Sequence, residues 1–255
     1  MTGGTLVTVA SGQNIPTGIA VDANNLYWTC RGSGKVLKAS LTGGSPVTLA
    51  SGQNTPDRIA LDANYIYWLN YGTDNVTSDT KGSVMKVKLT GGTPITLASD
   101  QVYPYDIAVD GTAVYWTTLP GQLMKVGVTG GAPVTLEPLG TYYGVAVDAT
   151  SIYYSDQFYI RKIGLEGGTP VFLDPESEID YGSALALTID TTNVYWSDYG
   201  IVIRKVGLEG GTPVVIATQH QDSGSDLAGN TDIAVDATSV YWSNCSAGTI
   251  MRVAK

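Results

Sequence analysis

Histidine occurs once in this 255-residue chain, phenylalanine twice and cysteine twice. One histidine, His220, excludes a transition-metal centre built on several imidazoles. Two cysteines allow a single disulfide and exclude the dense bridging of small secreted scaffolds. No apolar run nears the ~20 residues a membrane-spanning helix needs. Basic residues are short: 14 Lys and Arg stand against 23 Asp and Glu, for a net charge of −9. That balance argues against nucleic-acid backbones, which attract basic faces. It leaves cations, basic partners and neutral ligands open. Also missing are a G-x-S-x-G elbow, an H-E-x-x-H pair and a Gly-rich phosphate loop. No stretch keeps a 3.6-residue apolar period, so almost no helix is expected. The opening "MTGGTLVTVASGQ" shows no basic region followed by an apolar one, and so no visible signal peptide.

What the chain does have is glycine (31), tyrosine (16) and repetition. One block recurs six times: "IAVDANNLYW" at 19–28, "IALDANYIYW" at 59–68, "IAVDGTAVYW" at 107–116, "VAVDATSIYY" at 145–154, "LTIDTTNVYW" at 187–196 and "IAVDATSVYW" at 233–242. Its aspartates are Asp22, Asp62, Asp110, Asp148, Asp190 and Asp236, with successive gaps of 40, 48, 38, 42 and 46 residues. A period of that size made only of short β-type runs is the spacing of propeller blades. Each repeat divides into four strands. "GIAVD" is the first, "LYWT" the second, "IRKVGLE" or "KVLKASL" the third, and "PVTLA" or "PVVIA" the fourth. Asp and Asn suit the corner between the first two, and Gly-Gly suits the hairpin between the last two. Residues 3–22 match 43–62, so the chain opens on a fourth strand, and it stops at a third, "TIMRVAK". The fold class predicted is therefore all-β: one six-bladed β-propeller over 1–255, without linker or hinge. An N-terminal strand at Leu6–Ala10 is expected to complete the last blade beside Ile250–Ala254.

"YYSD" at 153–156 and "YWSD" at 195–198 resemble the YWTD motif of the low-density-lipoprotein-receptor class of six-bladed propellers. "IRKIGLEGGTPVFL" and "IRKVGLEGGTPVVI" are similar to that class's third and fourth strands. The resemblance spans nearly the whole chain. Four blades depart from it, with Cys30, Asn70, Thr118 and Asn244 at the motif's aspartate, so the family's aspartate network should be incomplete. The resemblance implies extracellular recognition of proteins without catalysis. The related NHL-type propellers include both binders and enzymes, so fold alone does not choose a function.

Residues that repeat serve every blade, so function is sought where the repeats disagree. Trp28, Trp68, Trp116, Trp196 and Trp242 are expected to pack between blades, and the repeated aspartates to bond turn backbone. In a propeller, the links entering each first strand share one channel mouth with the loops between second and third strands. Just before those first strands come Thr17-Gly18, Asp57-Arg58, Tyr105-Asp106, Tyr143-Gly144, Leu185-Ala186 and Thr231-Asp232. The ligand-binding surface predicted there is Asp57, Arg58, Tyr105, Asp106, Tyr143 and Asp232, extended by Tyr103, Tyr142, Tyr181 and Asn230. Tyrosine offers flat apolar area with a hydrogen-bonding tip. The longest irregular segments, 71–82, 174–184 and 218–230, add loop surface.

The leading functional reading is a secreted or periplasmic, monomeric, non-enzymatic propeller binding a protein, peptide or glycan. It calls for no cofactor, nucleic acid or membrane span. The enzyme alternative is a calcium-dependent lactonase or esterase using Asp57, Asp106, Asn230 and Asp232. Calcium takes such oxygens, and "DNVTSD" at 74–79 and "DSGSD" at 222–226 supply more. A purely structural repeat protein is the third reading. His220, Asp222, Ser223 and Ser225 have the residue types of a hydrolytic triad but sit together in one Gly/Ser-rich loop. Asn75-Val76-Thr77 and Asn244-Cys245-Ser246 match glycosylation sequons. Cys30 and Cys245 fall at equivalent places in blades one and six, which ring closure makes neighbours, and a bridge there would tie the closing seam.

Overall fold

A computed structural model describes residues 10–72, 81–119, 121–138, 140–156, 158–174, 184–198, 202–218, 232–244 and 249–255. The fold is a six-bladed β-propeller. Blade 1 consists of Pro16–Val21, Asn25–Cys30, Lys35–Ser40 and Val47–Ala50, each strand antiparallel to the one before. Blades 2 to 5 begin at Pro56, Pro104, Val145 and Ala184 and repeat that order. Blade 6 has three described strands, Ile233–Val235, Ser239–Asn244 and Thr249–Ala254. The fourth strand expected for it at Leu6–Ala10 falls outside the described residues, except for Ala10, which is not in a strand. Among the described residues the one helical element is a 3-10 turn at Arg31–Ser33. The chain divides into two compact units, Met1–Pro104 with Val126–Ala132, and Tyr105–Lys125 with Pro133–Lys255.

The predicted corners form. Asp22 accepts the amides of Asn24 and Asn25 on Oδ1 and the Tyr27 hydroxyl on Oδ2. Asp62, Asp110, Asp148, Asp190 and Asp236 do the same for their own turns, with distances of 2.6 to 2.9 Å. The Asn24 amide and the Tyr27 hydroxyl hold the Asp22 carboxyl at about 2, below its usual 3.8. Burial and the bond to Asp22 push Tyr27 up to about 12. The Gly-Gly hairpins need left-handed backbone, as at Gly43 (φ 91°) and Gly44 (φ 128°).

Blades meet through the aromatic second strand. Trp68 packs with Tyr27, Val36 and Leu49, and Trp196 with Tyr153, Ile160 and Leu173. All five tryptophans are buried. First strands approach closely: a Cβ on Gly18 would lie 2.4 Å from the Asp57 carbonyl, and one on Gly144 would lie 2.8 Å from the Leu187 backbone.

Two polar ties, absent from the sequence reading, join successive blades. The hydroxyl after the aromatic pair bridges to the next first strand: Thr29 to Asp57 O, Thr117 to Tyr143 O and Ser155 to Ala184 O, at 2.5 to 2.6 Å. A third-strand lysine reaches a carbonyl in the next blade: Lys38 to Leu89, Lys86 to Val128, Lys125 to Leu165 and Lys162 to Leu208.

Candidate functional site

The links before the first strands are built alike in blades 1 to 3. Ile15, Thr55 and Tyr103 each precede a proline and take positive φ, at 51°, 53° and 40°. Such backbone is costly for branched or bulky residues. In the first two links it turns the carbonyl toward the amide that leaves the second strand: Arg31 N donates to Ile15 O at 2.9 Å and Tyr71 N to Thr55 O at 3.0 Å. Link and loop therefore share one end of the blade, as the strand order implies.

In the first unit this arrangement gathers Arg31, Tyr71, Tyr103 and Asp57. The Arg31 guanidinium lies 5.2 Å from the Tyr71 ring centre, and the Tyr71 and Tyr103 rings are 5.8 Å apart. Burial raises the Tyr71 phenol, Arg31 opposes that rise, and Tyr103 and Asp57 add to it. All four side chains are half-buried. Arg31 is an addition to the predicted surface, and Tyr71 opens the 71–82 segment expected to extend it. Each follows its blade's second strand at the position after the motif, where no repeat pattern marks it. Asp57 lends its main-chain carbonyl to Thr29. Arg58 is half-buried at the same place in blade 2.

In the second unit Tyr105 and Tyr143 meet edge to face at 5.5 Å. Asp106 sits beside them, but both its oxygens receive backbone amides, from Ile107 at 3.0 Å and Val145 at 2.9 Å. It ties blade 3 to blade 4. Asp232 likewise accepts its neighbour, Ile233 N, at 3.0 Å. Tyr142 is 1% exposed and packs edge-on against Tyr154 at 5.2 Å, so it lies in the core rather than on the predicted surface. Tyr181 and Asn230 lie outside the described residues, as do both calcium-type segments, the sequon at 75–77, and His220 with its neighbours. Cys30 is a buried free thiol with Sγ 3.6 Å from Gln13 Oε1; Cys245 is outside the described residues.

The opposite end of blades 4 to 6 has a feature the sequence did not announce. A cavity of about 1010 Å³ opens there among the corners of Asp148, Asp190 and Asp236, with Lys205 and Lys255 on its wall. Lys255 Nζ is 2.5 Å from Asp190 and 5.3 Å from the Tyr195 ring centre.

No protein-family profile matches this sequence, and no curated protein matches it. Solved structures do. A chain of a nidogen/laminin complex shares 15% identity at TM-score 0.67, covering 91% of this chain and 89% of that one. A streptogramin B lyase shares 13% at TM-score 0.69, covering 95% and 84%. A catalytically inactive virginiamycin B lyase from Staphylococcus aureus, solved with quinupristin, shares 11% at TM-score 0.61, covering 97% and 98%. The likeness is one of fold. The propeller expected from "YYSD" and "YWSD" is thus found among binding proteins and enzymes alike.

Proposed function

We propose that this protein is an extracellular binding propeller that grips a protein, peptide or glycan at the end of the blades formed by the first-strand links and the second-to-third-strand loops. The observation carrying this reading is the Arg31–Tyr71–Tyr103 stack. It is assembled at positions that do not repeat from blade to blade, from residue types that dominate binding energetics. The Tyr105–Tyr143 pair supplies a second aromatic contact of the same kind. The nidogen/laminin likeness supports a protein partner and an extracellular setting. The lyase likenesses support the enzyme alternative. That alternative needs carboxylates convergent on one centre, whereas Asp106 already serves two backbone amides.

The test is a screen of the full chain on glycan and extracellular-protein arrays, followed by affinity measurements on the hits. Arg31→Ala, Tyr71→Ala and the Tyr105→Ala/Tyr143→Ala double variant should each bind about tenfold more weakly or worse, the ~1.4 kcal/mol or more of a hot spot. Their melting temperatures should stay near that of the parent. A hit bound equally by all three variants overturns the reading. Turnover of lactones or esters by the parent protein would replace it with the enzyme.

A further inference from the structure

The chain's two phenylalanines lie together on the surface of blade 4. Phe158 is 49% exposed and Phe172 43%. Tyr159 joins the two, its ring 6.3 Å from Phe158 and 5.0 Å from Phe172, both edge to face. Single exposed apolar residues are ordinary, but a contiguous aromatic group is not. The repeats sharpen the point. At the place of Phe172, blades 1 to 3 carry Thr48, Thr96 and Thr135 and blade 5 carries Val215, so of these blade 4 alone puts an aromatic ring there.

The group is also held rigidly. Asp156 Oδ1 accepts the amides of Phe158 and Tyr159, each at 2.7 Å, while its own amide donates to Tyr159 O. Its Oδ2 is 2.5 Å from Arg161 Nη2, and the Arg161 guanidinium lies 4.6 Å from the Phe172 ring centre. Asp174 Oδ1 receives Ile160 N, and Leu173 N donates to Ile160 O, which fixes the strand bearing Phe172. Little ordering remains to be done when a partner arrives, the condition under which aromatic anchors bind best.

We propose that this patch docks a protein segment that carries an aliphatic or aromatic anchor beside lysine or arginine. Charge selects that occupant. Beside Phe172 the Arg161 guanidinium is ion-paired with Asp156 and also faces the field of Glu137, so carboxylates outnumber the cation there, in a chain of net charge −9. A basic flank is attracted over the whole approach and can stack on an exposed ring. A second copy of this chain brings the same negative field, and a neutral sugar gains nothing from it. The patch shares no residue with the Arg31–Tyr71–Tyr103 stack and does not depend on the reading of that site.

The test uses short fluorescent synthetic peptides, one of Leu, Trp and Lys and its counterpart with Glu for every Lys, titrated against the full chain. Phe158→Ser/Phe172→Thr is the diagnostic variant, since threonine is what blades 1 to 3 carry at the place of Phe172. The Lys peptide should bind the parent protein, lose about tenfold or more on the variant, and weaken as salt rises from about 0.05 to 0.5 M. The Glu peptide should not bind, and Tyr71→Ala/Tyr103→Ala should bind the Lys peptide as the parent does. Equal affinity of the phenylalanine variant, equal affinity for the Glu peptide, or no binding of the Lys peptide to the parent overturns the proposal. So does a self-association of the parent that the variant abolishes. Loss only in Tyr71→Ala/Tyr103→Ala overturns it while leaving the first site standing.

Discussion

At the scale of single residues, aspartate–tyrosine corners tie the fold to pH at both extremes. Asp22 has a folded pKa of about 2 against 3.8. Its contribution is fully present above 3.8 and is lost as pH falls toward 2. Asp110, Asp148, Asp190 and Asp236 are lowered as well: burial opposes the shift in the first three, and in Asp236 the Tyr241 hydroxyl leads it. Tyr27 and Tyr195 are raised from 10.0 to about 12, chiefly by burial. Their contribution is present below 10 and is lost as pH climbs toward 12. Urea midpoints should therefore be flat between about pH 5 and 9 and fall on both sides. Tyr153→Phe should lower the plateau by about 1 kcal/mol through a lost charge-assisted bond. A midpoint that drops steadily across the neutral range would contradict this assignment.

At the scale of the element, the motif aspartate and a third-strand arginine come as a pair. Blades 4 and 5 have Asp156 with Arg161 and Asp198 with Arg204, whereas the other four have Leu37, Met85, Met124 and Met251 at the arginine's place. The incomplete aspartate network expected from Cys30, Asn70, Thr118 and Asn244 is thus incomplete on both strands at once. Asp156 is 8% and Arg161 23% exposed. Arg161→Met alone should cost about 3 kcal/mol, because it strands a buried carboxylate. Adding Asp156→Asn reproduces the Asn70/Met85 pair of blade 2 and should recover a clear part of that loss. Additive single-variant costs in denaturant titrations would show that the two side chains are not coupled. The sequence quoted both halves of this pair without joining them, because Asp156 and Arg161 meet only through the register that sets Tyr154 opposite Arg161. The lysine ties were invisible for a related reason. A lysine on a half-exposed strand reads as a solvated face, and its acceptor carbonyl lies 40 or more residues along the chain. Corner aspartates were legible as turn-backbone acceptors because those partners are two and three residues away. The tyrosine hydroxyl, five residues on, meets its aspartate only through strand pairing.

At the scale of the whole molecule, six repeats with one order of strands were enough to predict the propeller, since only the period and the turn residues were needed. The binding surface was harder. Tyr142 and Tyr143 are adjacent in sequence, yet one is buried against Tyr154 and the other meets Tyr105. A link has no two-residue alternation from which that difference could be read. If blades 1 to 6 make one domain, calorimetry should show a single transition whose van't Hoff and calorimetric enthalpies agree. Two resolved transitions would show that the two compact units melt independently.

The lysine ties carry a last consequence. Lys38, Lys86, Lys125 and Lys162 all point forward along the chain, and all end on a main-chain oxygen. Lys125 and Lys162 also meet a carboxylate of the receiving blade, Glu166 and Glu209, but the main-chain acceptor is what all four share. From blade 1 to blade 5 the joints are therefore made with one common connector. A blade's exposed loops are free to diverge, as blade 4 has done with its phenylalanines, while the joint to its neighbour stays the same.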